Sequence, residues 1–218
     1  MSPYTAEDLW PSLDEKIGRQ PCFPSGPVWS VLPTLKGQIA DMLEDVGENI
    51  RNEVSIDTSN GPVHIHDSAK IEPNVHVIGP AYIGPNATIR HGAYIREFSW
   101  ICANSLVGHA SEIKHSILLP GSKAPHFNYV GDSVLGPGVN LGAGVKLSNL
   151  RNDGGEVHTR INDERVPTGL RKFGAIIGEN SQLGCNAVTN PGVVLGPRCM
   201  VHPNITVTGI YDADSVIR

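Results

Sequence analysis

His126 lies in the run Gly121-Ser122-Lys123-Ala124-Pro125-His126-Phe127-Asn128-Tyr129-Val130-Gly131-Asp132. Histidine is the residue type suited to accepting or donating a proton near neutral pH. Arg96 and Lys114 precede it, 18 residues apart, with Glu112 between them. Two cations held together make a clamp for a dianion. Downstream come Asn140 and then Gly142-Ala143-Gly144, small residues that let a ligand approach the backbone closely.

Such residues act together only on a scaffold that fixes them, and the sequence contains one. Every sixth residue from Ile71 to Leu119 is branched and apolar: Ile71, Val77, Ile83, Ile89, Ile95, Ile101, Val107, Ile113, Leu119. The period fits neither a helix nor an alternating strand. It marks a solenoid whose units bury their apolar face only by stacking on their neighbours. The expected fold is all-β, a left-handed parallel β-helix of hexapeptide repeats with three short strands per coil. Arg96 and Lys114, three hexads apart, then stand one above the other on the same face.

The period breaks twice. Leu119 to Tyr129 is ten residues, after which Tyr129, Leu135, Leu141 and Leu147 resume the spacing. A second interruption covers about 149–174, within which 157–166 reads as a protruding hairpin with a polar turn. Ile177, Leu183, Thr189, Leu195, Val201 and Val207 complete about six coils, with Cys199 at a position that wants a small inward side chain. The expected layout is an N-terminal arm and capping helix over 1–60 and the β-helix over 61–212. Loops are extruded at about 120–128 and 149–174, and a short tail follows at 213–218. In the arm, Thr5-Ala6-Glu7-Asp8 starts a short helix limited by Pro11. Leu35, Ile39, Met42, Leu43 and Val46 follow helical spacing up to Gly47. That second helix is expected to cover the open first coil, whose edge would otherwise invite pairing.

The net charge of −5 excludes a general nucleic-acid or acidic-membrane surface. No apolar run is long enough to cross a bilayer, and the N-terminus lacks a basic stretch followed by an apolar one. Cys22, Cys102, Cys185 and Cys199 form no Cys-x-x-Cys pair and read as structural thiols of a cytoplasmic protein.

A coil packed with Ile, Val and Leu has no interior room for a substrate, so function belongs outside it, at the breaks. There the sequence resembles a known family. From Ala93 to Asp132, with the Gly-Ser-Lys-Ala-x-His-x-x-Tyr-x-Gly-Asp segment and then Asn-x-Gly-Ala-Gly, it resembles the acetyltransferase half of the bifunctional enzyme that makes UDP-N-acetylglucosamine. Asn149-Leu150-Arg151 and Thr168 to Ala175 look closer to the acyltransferase halves of archaeal-type sugar-1-phosphate nucleotidylyltransferases. The resemblance implies N-acetyl transfer from acetyl-CoA, as co-substrate, to an amino-sugar phosphate such as glucosamine 1-phosphate, by a homotrimer. It implies His126 as the general base, with Glu112 orienting or polarising the site. Arg96 and Lys114 would hold the sugar phosphate, and Tyr129, Asn140 and Asn149 would contact the sugar. Ala143, flanked by Gly142 and Gly144, would admit the pantetheine arm and offer its backbone amide to the oxyanion. Transfer is then direct, with no Ser or Cys nucleophile. Residues 1–60 are too short for a nucleotidyltransferase domain and lack its Gly-rich loop.

The chain also departs from that family. Leu150 stands where an aromatic residue follows the family asparagine. A nearby family lysine has no clear equivalent, leaving Arg151, Arg171 and Lys172 as substitutes. Pro125 replaces a glycine beside the histidine, Glu97-Phe98 replaces Pro-Gly, and the basic C-terminal tail that helps hold coenzyme A has no counterpart. One alternative is a non-catalytic, sugar-phosphate-binding homologue. Another is a zinc carbonic anhydrase-like trimer, suggested by nine histidines. His91 and His109 would stack, but no third histidine follows His109 at the spacing of five that such a metal site uses, so no metal is expected.

Overall fold

The computed structural model describes residues 4–13, 17–51, 53–161 and 164–218. Three parallel sheets of eight strands each form a left-handed β-helix of eight coils. Each coil visits the sheets in turn. Sheet I runs from Ser55–Asp57 through Glu112–Lys114 and Tyr129–Gly131 to Thr206–Val207. Sheet II runs from Val63–Ile65 to Ile210–Tyr211, and sheet III from Lys70–Ile71 to Val216–Ile217. The coils number eight rather than six because both ends pair in spite of weak hexads. Ser55–Asp57 pairs with His76–Ile78, and Val216–Ile217 pairs with Met200–Val201, so the expected tail belongs to the last coil.

One apolar side chain per strand fills the interior, with Ile83, Ile95, Ile101, Val107 and Ile113 fully buried in a single column-like core. The periodic series holds as far as Ile113. The next inward residue is Leu118, not Leu119, and the series continues through Ala124, Val130 and Leu135. Leu119 points outward into a second apolar cluster, and Tyr129 points outward on sheet I. The ten-residue break is therefore two shortened corners, with five residues from Ile113 to Leu118 and five from Val130 to Leu135. Residues 120–128 are not extruded. Lys123–His126 is a sheet III strand between Leu106–His109 and Asn140–Leu141. Buried serines compensate the tightened corner, since the Ser116 hydroxyl donates to Lys114 O at 2.7 Å and accepts from the Ser133 N–H at 3.1 Å.

The second interruption does leave the coil, between the sheet I and sheet II strands of coil six. Its strands His158–Ile161 and Glu164–Pro167 pair antiparallel, and the expected polar turn at Asn162-Asp163 lies outside the described residues. Val157 and Phe173 anchor its base, fully buried.

The second helix of the N-terminal segment lies along sheet II, and the edge of the first coil is covered by the residues that follow it, Asn49 bridging His64 and Arg51 donating to the carbonyls of His66, Asp67 and Ala69. Helix α1 (Ala6–Leu9) has the expected Thr5/Asp8 capping box, and α2 (Val31–Val46) tolerates Pro33 because it lies in the first turn. Both lie along the outside of sheet II. There Leu9, Trp10, Leu32, Leu35 and Ile39 pack with the outward-facing Tyr82, Trp100, Ile117, Val134, Ile176 and Val194. The arm runs the length of the solenoid, from Tyr4 Oη donating to Asp212 at 2.6 Å in coil eight to His64 Nδ1 bonding Gly47 O at 2.8 Å in coil one. An apolar outer face on sheet II had to be covered, and this segment covers it. No helix among the described residues is long and apolar enough to cross a membrane.

Candidate active site

Sheet I and its two bordering corners carry the polar side chains. Glu112 and Tyr129 are register partners on adjacent strands, directly above one another, and Lys114 lies two residues along from Glu112. Arg96 Nη1 donates to Glu112 Oε1 at 2.9 Å, while its Nε lies 3.6 Å from Glu97 Oε2. Tyr129 Oη donates to Asn149 Oδ1 at 3.5 Å. Burial, with Glu112 and Asp132 close by, raises the Tyr129 pKa, so the phenol stays neutral. Gly131 keeps the space between these groups open, since a Cβ there would lie 2.7 Å from Tyr129 Oη and 2.8 Å from Asn149 Nδ2.

Asp132, absent from the expected set, ties this face together. Only 5% of its side chain is exposed, and it accepts hydrogen bonds from His115 Nδ1 at 2.7 Å and from Asn149 Nδ2. Burial alone would raise its pKa, but the His115 and Asn149 bonds, with the charge of Lys114, hold it below the usual carboxylate value. Burial also pulls the Lys114 ammonium down, opposed by Asp132 and reinforced by Lys172 and Arg96. Lys172 enters where the insertion returns to the corner, beside the isolated bridge between Leu150 and Lys172. Of the three candidate replacements for the family lysine, it lies against Lys114, whereas Arg151 is paired with Asp153 and Arg171 Nε donates to Gly154 O.

His126 stands at the other border of sheet I, where sheet III turns into it. It is exposed, and among the described residues its ring makes no hydrogen bond. Its backbone is held instead. Buried Asn128 accepts from the His126 N–H at 3.0 Å and donates from Nδ2 to Gly142 O at 2.8 Å, and Gly144 N–H donates to His126 O at 2.9 Å. The Gly142-Ala143-Gly144 corner is thus stacked directly on the histidine. Gly142 N–H donates to Leu183 O, whereas the Ala143 N–H between the two bonded amides donates to nothing among the described residues. The structure therefore gathers Arg96, Glu112, Lys114, Tyr129 and Asn149 on one face and sets His126 beside Gly142, Ala143 and Gly144 at its edge. Asn140 is not brought in. It lies on sheet III opposite Lys123, around the corner from the sheet I cluster.

His91 and His109 do stack, with ring centroids 5.2 Å apart, but His109 Nδ1 is bonded to His91 O and His91 Nε2 to Asn74. Among the described residues no group of three His, Cys, Asp or Glu side chains is placed to hold a metal ion.

Residues 52–149 match the family described as the GMPPB C-terminal domain, and 174–209 the hexapeptide repeat of succinyl-transferase. The bifunctional sugar-1-phosphate nucleotidylyltransferase/acetyltransferase of Sulfurisphaera tokodaii is 34% identical over 184 residues, covering 84% of this chain and 45% of that protein. The chain is a relative of the hexapeptide-repeat half of such proteins. The bifunctional protein GlmU of Methanococcus aeolicus is 34% identical over 192 residues, 88% of this chain and 46% of its own. That of Methanocaldococcus jannaschii is 36% identical over 132 residues, 57% and 32%. The chain thus spans about half the length of the first two relatives.

Proposed function

We propose that the chain is an acyltransferase that moves the acetyl group of acetyl-CoA onto the amine of an amino-sugar phosphate, with a glucosamine 1-phosphate-like compound as substrate. The observation that carries this reading is the stacking of the Gly142-Ala143-Gly144 corner on the His126 backbone, with the Ala143 N–H donating to nothing among the described residues, at the border of a face lined by Tyr129, Asn149, Glu112 and Lys114. The relatives' names supply the reaction class.

In the proposed step the sugar amine is held over Tyr129 and Asn149 and must be neutral to attack. His126 takes a proton from the nitrogen as the C–N bond forms. The thioester oxygen becomes an oxyanion that the Ala143 N–H can stabilise. The C–S bond then breaks, and the proton on His126 passes to the departing thiolate. Arg96 is already paired with Glu112, so its part is to orient Glu112, and the substrate phosphate falls to the lysines. The assembly is a homotrimer, in which neighbouring copies cover Phe127 and Leu150, 57% and 41% exposed beside the two ends of the site, and place Asn140 of one copy toward the cleft of the next.

The test is thiol release from acetyl-CoA with a panel of amino-sugar 1-phosphates. His126→Ala is expected to lose about 10²–10⁴-fold in kcat, the usual worth of a general base, while still binding the sugar phosphate. Unchanged turnover in that variant would refute the role. Sugar-phosphate binding without any acetyl-CoA binding by the wild type would establish the non-catalytic reading instead.

A further inference from the structure

We propose that Lys36, on a helix outside the repeat, is a substrate-phosphate ligand that completes a three-lysine pocket with Lys114 and Lys172. The assignment of the anion as a substrate phosphate rests on the acyltransferase reading above; the pocket itself does not.

The pocket lies at the corner between sheets I and II and holds about 220 Å³, lined by Lys36, Lys114, Lys172, Glu97, Phe98, His115 and Asp132. Its charges do not cancel. Three ammonium groups face two carboxylates, of which Asp132 is engaged by His115 and Asn149, while Glu97 Oε2 lies 3.6 Å from Arg96 Nε with no hydrogen bond among the described residues. Among the described residues no lysine of the pocket forms an ion pair, and Lys114 and Lys172 stand side by side. Like charges placed together repel unless an anion comes between them, and a phosphoryl dianion brings both the charge and the several acceptor oxygens that three ammonium donors can use.

Lys36 is placed with equal care. Its Nζ lies 4.8 Å from the centroid of the Phe98 ring, which meets the His115 ring edge-on at 6.0 Å. Phe98 holds a φ of 61°, a left-handed conformation uncommon for a bulky residue, and its N–H donates to Pro80 O at 2.6 Å. That backbone turns the ring out under Lys36. His115 Nε2 faces the same corner, buried and without a partner among the described residues.

The pocket is open to solvent on one side, so its 220 Å³ seats a phosphoryl group while the sugar that carries it extends outward. The substrate class that follows is a sugar monophosphate, recognised partly by the arm that covers sheet II.

The full chain would be assayed with Lys36→Gln, Lys36→Arg and the double variant Lys36→Gln/Lys172→Gln. Readouts are binding of inorganic phosphate by calorimetry and KM for an amino-sugar 1-phosphate against the same amino sugar without phosphate. The expected result for Lys36→Gln is a phosphate Kd and a KM for the phosphorylated sugar raised about tenfold, the loss of one charged contact. Lys36→Arg recovers most of both, and the double variant is weaker still. Lys36 is exposed, so folding is preserved, and thermal melts verify it. If Lys36→Gln matches wild type in phosphate Kd and in KM while wild type turns over, the pocket assignment falls and the acyltransferase reading stands. If wild type binds phosphate through these lysines yet transfers no acyl group, the reverse holds.

Discussion

Replacing Asp132 with Asn tests whether one buried carboxylate organises the site face. The carboxylate accepts from His115 Nδ1 and Asn149 Nδ2 with only 5% of its side chain exposed. Asparagine keeps the shape but loses the charge, and it turns an NH2 group toward one of those two donors. Hydrogen bonds to charged groups are worth about 1.5–3 kcal/mol each, and breaking a buried pair costs about 3–5 kcal/mol. One oxygen still accepts, so the low end applies, about 3 kcal/mol. For a domain of this size each kcal/mol moves Tm by roughly 2–4 °C, so the expected fall is about 6–12 °C at pH 7. The sign with pH follows from linkage. The Asp132 pKa is lowered from 3.8 in the folded state, so its stabilisation is present above 3.8 and is lost as pH falls through the depressed value. Calorimetric melts of wild type and Asp132→Asn should therefore differ fully at pH 7 and pH 5 and converge in stronger acid. Equal melts at pH 7, or a gap of the same size at pH 7 and in strong acid, would refute this account of Asp132.

Two further outcomes are expected. Gly131→Ala puts a methyl group against Tyr129 Oη and Asn149 Nδ2, both ends of movable side chains. Relieving the contact moves Asn149 Nδ2 away from Asp132, so substrate KM should rise and Tm fall together; an unchanged KM would show that the crowding is taken up by the backbone. Light scattering on the 23.3 kDa chain should report a mass near three times that value; a monomer across the assay concentration range would remove the trimer and the role given to Asn140.

The hexad was legible in the sequence because stacked coils demand the same kind of inward side chain again and again, and Ile71 to Ile113 meet that demand without exception. The shortened corners were not. Leu118 and Leu119 are both apolar, as are Val130 and Tyr129 in part, and pattern alone cannot say which one faces inward. The second apolar environment that takes Leu119 exists only because the arm lies over sheet II. The amphipathic helix was readable from Leu35, Ile39, Met42 and Leu43, but its docking surface was not. The available signal was the outward ladder of Tyr82, Trp100, Ile117, Val134 and Val194, apolar at positions a solvent-facing sheet would fill with polar residues. Asn128 and Asp132 sat inside the segment that drew attention to His126, and neither residue type by itself reveals that it is buried and bonded.

The sequence by itself determined the repeat, the antiparallel insertion at 149–174, and a set of candidate groups that proved to lie in consecutive coils, because those depend on local periodicity and on residues a whole number of coils apart. Only the tertiary structure decided that Arg96 is paired with Glu112 and that Asp132 joins His115 to Asn149. It also decided that Lys36, Lys114 and Lys172 meet at one corner. Those relations join side chains from a helix, a strand and a returning loop separated by up to 136 positions, from Lys36 to Lys172. Such distances in sequence are set by how coils, arm and insertion pack, and no local pattern carries that information.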